Sequence, residues 1–221
     1  MTGAVGIVLA GGRSSRLESL PLPAGGKAAL AFAGGSFLGR VVAAVAAAVD
    51  RVLVVAGPEQ PLPPLAFDVE IVRDTEAGAG PLAALRDGLV AAARFAPTPR
   101  VAFVTSCDVP LLGAAVVRWL VARGLAPGAG WVVPSWEGHP QVLLSVVALD
   151  LLPAIEAHLA AGRRDLRGLL DAVEAAVPTR VVRLAAAELA AVDPPGACVS
   201  DVDTPDDLER LQRREIPPSA P

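Results

Sequence analysis

Short apolar runs alternate with amphipathic segments along most of the chain. The first run, 5–10, is branched and apolar and stops at two glycines, the profile of a strand buried on both faces. Ser36 can cap a helix over 37–49, in which Phe37, Leu38, Val41, Val42, Val45 and Val49 recur on one face. Residues 51–56 read as a second strand, ended by Gly57 and Pro58, and 69–72 as a third. The segment 78–82 opens a helix that runs to about residue 93, with Pro81 suited to its first turn. Further strands are predicted over 101–105, 131–134, 142–147 and 181–184, and helices over 113–123, 151–161 and 166–175. Thr204, Pro205 and Asp207 form a near capping box that starts the last helix. Strand, helix and strand at this spacing predict parallel pairing through right-handed crossovers.

Composition narrows the class. The chain has 221 residues, enough for one α/β domain, predicted over 1–215 with a frayed tail at 216–221. It is 53% hydrophobic, much of it alanine. Its longest suspicious segment, 41–49, is far short of the ~20 residues that span a bilayer, so no membrane partner is expected. The N-terminus has no basic region ahead of its apolar run, which argues against a secretory signal. Two cysteines, Cys107 and Cys198, make no disulfide framework and predict free thiols in the cytoplasm. A net charge of −4 argues against a broad nucleic-acid surface and leaves room only for a local basic pocket.

Several polar residues stand where strands end. Gly11 and Gly12 let backbone N–H groups approach a ligand closely, and Arg13 and Arg16 add positive charge there. Backbone donors beside guanidinium groups suit a nucleoside triphosphate. The same residues also fit a tight turn with solvated arginines. The loop from Arg16 to Lys27 is too rich in proline and glycine for a helix. Asp74 follows the third strand and Asp108 the fourth, where ligands of open α/β sheets collect. Each also fits a helix cap. A single aspartate at such an end can hold Mg²⁺ while phosphate and water fill the other positions. Arg163 and Arg164 adjoin in a loop. His139 lies in a turn but is not needed as a base if an ionised phosphate attacks.

Four pieces occur in order: Leu9-Ala10-Gly11-Gly12 with Arg16 and Lys27, then Gly80-Pro81-Leu82, then Cys107-Asp108 with Pro110, then Asp201 and Asp203 before Thr204-Pro205. Together they resemble the nucleotidyltransferases of GT-A-like fold, and most of all the molybdenum cofactor guanylyltransferases and their MobA-like relatives. The resemblance covers about 5–211. It implies a three-layer α/β/α fold on a Rossmann-like, mostly parallel sheet. It implies transfer of GMP from GTP to the phosphate of molybdopterin, with release of pyrophosphate. By resemblance Leu9, Ala10, Gly11, Gly12, Asp74, Gly80 and Pro81 hold the nucleotide. Asp108 holds Mg²⁺, and Arg16 and Lys27 neutralise phosphate charge. Arg164, with Arg167 as alternate, and Asp201 and Asp203 face the acceptor. Small-molecule substrates and a monomer or weak homo-oligomer are expected. The chain departs from the family's usual Met-Gly-x-Asp-Lys: Gly26 precedes Lys27, and several residues are inserted before it. CTP as donor, a sugar phosphate or phospholactate as acceptor, and a non-catalytic nucleotide- or pterin-binding paralogue are the rival readings. An NAD-binding domain lacks its G-x-G-x-x-G here.

Overall fold

In the computed structural model of the chain, which describes residues 2–12, 21–75 and 78–213, the first apolar run forms β1 (Ala4–Leu9), buried along its whole length. Its alternating side chains serve two cores. Ala4 and Val8 join one, and Val5, Ile7 and Leu9 join the other. Such two-sided burial marks the centre of a sheet covered by helices on both faces.

Parallel partners flank β1. These are β4 (Arg51–Ala56) on one side and β6 (Val101–Ser106) on the other, with Leu9 level with both Val55 and Ser106. Beyond β4 lies β5 (Glu70–Arg73), also parallel. Beyond β6 come β9 (Leu144–Ala148), β7 (Trp131–Trp136) and β10 (Val181–Leu184), and a two-residue β8 (His139–Pro140) pairs with the end of β7. Of the strands along the main path only β9 runs antiparallel to its neighbours, so the sheet is mixed but mostly parallel. A separate hairpin joins β2 (Ala31–Phe32) to β3 (Gly35–Ser36).

Helix α1 (Phe37–Ala46), α3 (Ala114–Gly124) and α6 (Ala186–Val192) cover one face. On the other face lie α2 (Pro81–Ala92), α4 (Leu152–Ala160) and α5 (Leu166–Ala176). The layers are therefore helix, sheet and helix, as the resemblance implied. The last helix, α7 (Pro205–Gln212), belongs to a third cluster, in which Val202 and Leu211 pack with Phe32 and Phe37. No helix among the described residues is long and apolar enough to cross a membrane. The expected tail at 216–221 lies outside the described residues.

Some boundaries differ from the sequence expectation. Helix α1 ends three residues early, because Ala47 and Ala48 bond back into a closing turn. The strand expected from 142 starts at Leu144, since the amide of Leu144 donates to Gln141 and the Ser145 hydroxyl to Val142. Neither the hairpin nor α6 was expected; α6 buries only Leu189 of its seven residues, too little for an apolar period.

Close layer packing explains one internal glycine. A Cβ at Gly6 would run into the side chain of Val45, so α1 sits directly on the backbone of β1. Gly6→Ala should cost about 1–3 kcal/mol, typical of overpacking a filled core. At ~2–4 °C per kcal/mol for a chain of this size, the thermal midpoint should fall by several degrees. An unchanged midpoint would mean that α1 stands further from β1.

Candidate active site

The sheet collects its polar residues at one edge. Strands β1 and β6 are parallel and in register, so Gly11, Gly12 and Asp108 leave the sheet side by side. Backbone bonds hold these exits: Cys107 N donates to Leu9 O at 3.0 Å, Ala10 N to Val55 O at 2.8 Å, and Asp74 N to Ala56 O at 2.9 Å. Between them opens a cavity of about 460 Å³, lined among others by Gly11, Gly12, Asp74, Gly80, Pro81 and Asp108. Of the residues expected at the nucleotide, Leu9 also lines it, whereas Ala10 is buried beneath, bonded through its carbonyl to Gln60.

Asp74 is one of the lining residues. A Cβ on Gly11 would lie 3.2 Å from Asp74 Oδ2, so the two segments meet at a distance that suits glycine. Oδ1 of Asp74 is buried and has no hydrogen-bond partner among the described residues. Burial, and after it the neighbouring Asp87, push this carboxyl above the usual aspartate range, with Arg86 pulling the other way. Asp87 also pins the chain beyond Asp74: its Oδ2 accepts from Thr75 N at 3.0 Å and Thr75 Oγ1 at 3.1 Å, and its Oδ1 from Arg86 Nε at 2.6 Å. A buried, unsatisfied acceptor facing a cavity is costly until a donor reaches it.

Gly80 caps α2 with φ +90° and ψ 174°, a conformation essentially reserved for glycine. Among the described residues no side chain caps this helix, and Pro81 has no N–H, so the N–H groups of Leu82 and Ala83 and the positive dipole end suit an anion. Arg164 reaches the same rim, its Nη1 3.4 Å from Ala79 O. Arg167 is exposed further along α5, and His139 is exposed at the start of β8.

The charged end of the site is built from three distant segments. Lys27 lies in a 3-10 turn (Gly26–Ala29) and places Nζ 2.6 Å from Asp203 Oδ1 and 3.4 Å from Asp108 Oδ2. Asp108 Oδ1 also accepts from the Ser106 hydroxyl. Burial, the largest influence on Lys27, favours the neutral amine, but Asp108 and Asp203 together outweigh it and raise the ammonium above its ordinary range. The missing acid before Lys27 and the longer loop therefore leave the lysine in place. Arg13 and Arg16 lie outside the described residues.

Asp203 arrives by a specific route. Val202 is buried in the third cluster and its amide donates to Asp108 O at 3.0 Å. The capping box then fixes the chain: Thr204 N donates to Asp207 Oδ2 at 2.8 Å, and Asp207 N to Thr204 Oγ1 at 3.2 Å. Asp203, expected near the acceptor, is thus bound to Lys27 beside Asp108. Burial, then Asp203 and Asp108, raise the Asp201 carboxyl, with Lys27 opposing. Among the described residues no group of three or more His, Cys, Asp or Glu side chains is arranged to hold a metal by itself.

The sequence carries one further signal. Of the 19 lysines and arginines, Lys27 alone is lysine. A chain that otherwise uses arginine keeps a compact ammonium at this one place. Cys107, next to Asp108, is inert by contrast: burial and then the Asp108 charge push its thiol up to about 12.

A family model for the MobA-like NTP transferase domain matches residues 6–179. The chain belongs to the MobA-like NTP transferase family. It is 37% identical over 174 residues to a protein of Mycolicibacterium paratuberculosis named "Probable molybdenum cofactor guanylyltransferase", a match covering 77% of this chain and 82% of that one. The fold is shared with molybdopterin-guanine dinucleotide biosynthesis protein A from Archaeoglobus fulgidus, at TM-score 0.74 and 20% identity over 94% of this chain and 96% of that one. It is also shared with 2-C-methyl-D-erythritol 4-phosphate cytidylyltransferase from Thermus thermophilus, at TM-score 0.65 and 19% identity over 94% and 96%. The MobA-like match makes the chain a nucleotidyltransferase; it stops before Asp201 and Asp203, which the fold adds from the C-terminal segment.

Proposed function

We propose that this nucleotidyltransferase moves GMP from GTP to the phosphate of molybdopterin, giving a guanine dinucleotide and pyrophosphate. The observation that carries the reading is the buried Oδ1 of Asp74, which has no hydrogen-bond partner among the described residues, in a cavity that Asp108 also lines, with Lys27 beside Asp108. A carboxylate accepts both the N1–H and the exocyclic amine of guanine, and adenine has no N1–H to give. The cavity so read takes the base at Asp74 and the triphosphate towards Asp108.

The chemistry follows from these positions. A phosphate oxygen of the acceptor attacks the α-phosphorus in line; the new P–O bond forms as the bond to the bridging α–β oxygen breaks, and that electron pair leaves with pyrophosphate. The attacking oxygen is already ionised and needs no base. Lys27 donates to phosphate oxygens on which charge builds, and the N–H groups of Leu82 and Ala83 add a positive end. Arg164 at the rim meets the acceptor. Asp108 fits Mg²⁺: its donors are hard carboxylate oxygens, and a lone carboxylate leaves other positions for phosphate and water. Mg²⁺, when bound, neutralises the triphosphate and the leaving pyrophosphate.

The direct test is pyrophosphate release with molybdopterin, Mg²⁺ and each of GTP, CTP, ATP and UTP. GTP should lead; a preference for CTP would make the enzyme a cytidylyltransferase, and no release with any donor would favour a binding protein. Asp74→Ala should weaken GTP binding by ~1–3 kcal/mol, one to two decades, and narrow the GTP to ATP ratio, as calorimetry would show. Because the Asp74 carboxyl is raised, protonation on the acid side should erode GTP preference above the pH at which an ordinary aspartate titrates. A ratio that does not move in Asp74→Ala would leave Asp74 without a part in base choice.

A further inference from the structure

Lys27 follows a loop longer than the family pattern, yet its ammonium is held between two carboxylates. The turn itself is anchored by Ala28, buried in the core beside α1. One amide ties the base of the loop to the end of β1. Gln60 Nε2 donates to Ala10 O at 3.0 Å and to Gly25 O at 3.2 Å, and its Oε1 accepts from Gly57 N at 3.1 Å. Ala10 is where the chain leaves β1, and Gly25 is the residue before the turn that carries Lys27. Both N–H groups of a single side chain therefore close the base of the loop, as a clasp.

The platform for this clasp is itself braced. Arg73 Nη1 donates to Gly57 O at 3.0 Å and to Gln60 O at 2.8 Å, tying the turn after β4 to the end of β5, next to Asp74. Gly25 packs hard against the same platform: a Cβ there would lie 2.9 Å from Pro61 O and 2.8 Å from the Ala29 side chain. The amide of Gln60 has no donor left for a ligand, so its work is on the backbone.

We propose that Gln60 is a positioning residue, which sets Lys27 relative to the glycine loop and so allows the loop between them to vary in length. The inference rests on reading Lys27 as the cation that meets phosphate. Gln60→Met keeps the side-chain length and removes both donors. Gln60→Glu keeps an acceptor for Gly57 N but also has no donor, and serves if the first variant does not fold.

The experiment has two arms. In pyrophosphate release with GTP, Mg²⁺ and molybdopterin, Gln60→Met should lower kcat by ~10–100-fold, the scale of a displaced catalytic group, with the KM for GTP within about threefold. The same substitution in a Lys27→Ala background should change kcat little, because the group it positions is gone. Equal losses in both backgrounds, or a loss confined to KM, would overturn the proposal. The second arm needs no turnover. Lys27 is the only lysine, so an amine reagent such as trinitrobenzenesulfonate, read by peptide mass, reports on this one side chain. Its labelling should speed up severalfold in folded Gln60→Met as the ion pairs loosen; an unchanged rate refutes the clasp. If the wild type releases no pyrophosphate, the functional reading fails, and labelling still decides the role of Gln60.

Discussion

Replacing Asp108 by asparagine should abolish detectable turnover while the protein stays folded. The substitution preserves shape, and the amide oxygen can still accept from the Ser106 hydroxyl that now meets Asp108 Oδ1. What disappears is the negative charge at the exit of β6, beside the glycine turn of β1. A neutral amide is a poor ligand for Mg²⁺, and a triphosphate without its cation repels both the attacking phosphate and Asp203. The loss of one preorganised electrostatic group commonly costs ~10²–10³-fold in rate, and loss of the bound cation adds to it. Calorimetry should show GTP binding that no longer responds to Mg²⁺, with a melting point within a few degrees of wild type. Normal turnover at saturating Mg²⁺ would remove Asp108 from the proposed cation site.

The second large effect is expected at Lys27. Lys27→Ala should lower kcat by ~10²-fold, as for one lost transition-state donor. Lys27→Arg should restore only part of it, because a planar fork does not fill the position that a compact ammonium occupies between Asp108 and Asp203. A loss below about threefold in Lys27→Ala would refute the role. Stability should change as well. The folded state raises the Lys27 pKa, so its contribution is whole below the unfolded value near 10.5 and fades as pH rises through the folded one.

Much of this was legible in the sequence because it is local. A glycine pair after an apolar run, an aspartate and proline after another, and a capping threonine each declare themselves within a few residues, and strand 181–184 could be bounded from its apolar pattern alone. The rest depends on contacts that no local period encodes. Asp203 was expected at the acceptor; its pairing with Lys27, set by packing that begins at Val202, was not. Gln60 looks like an ordinary residue of a proline-rich loop until three backbone groups converge on its amide. Nor does the pattern 142–147 reveal that β9 runs against its neighbours; an apolar strand buried on both faces has the same profile in either direction.

The Lys27–Asp203 pair spans 176 positions of chain. During synthesis, β1, β4 and β6 are available to pair long before residue 203 has left the ribosome, so Lys27 can meet Asp108 before Asp203 exists to join them. The charged end is completed only when Val202 and Leu211 dock on Phe32 and Phe37. The last contact of this site to become possible is therefore the one made by its C-terminal segment, and a chain clipped before Val202 would lack Asp203 beside Lys27.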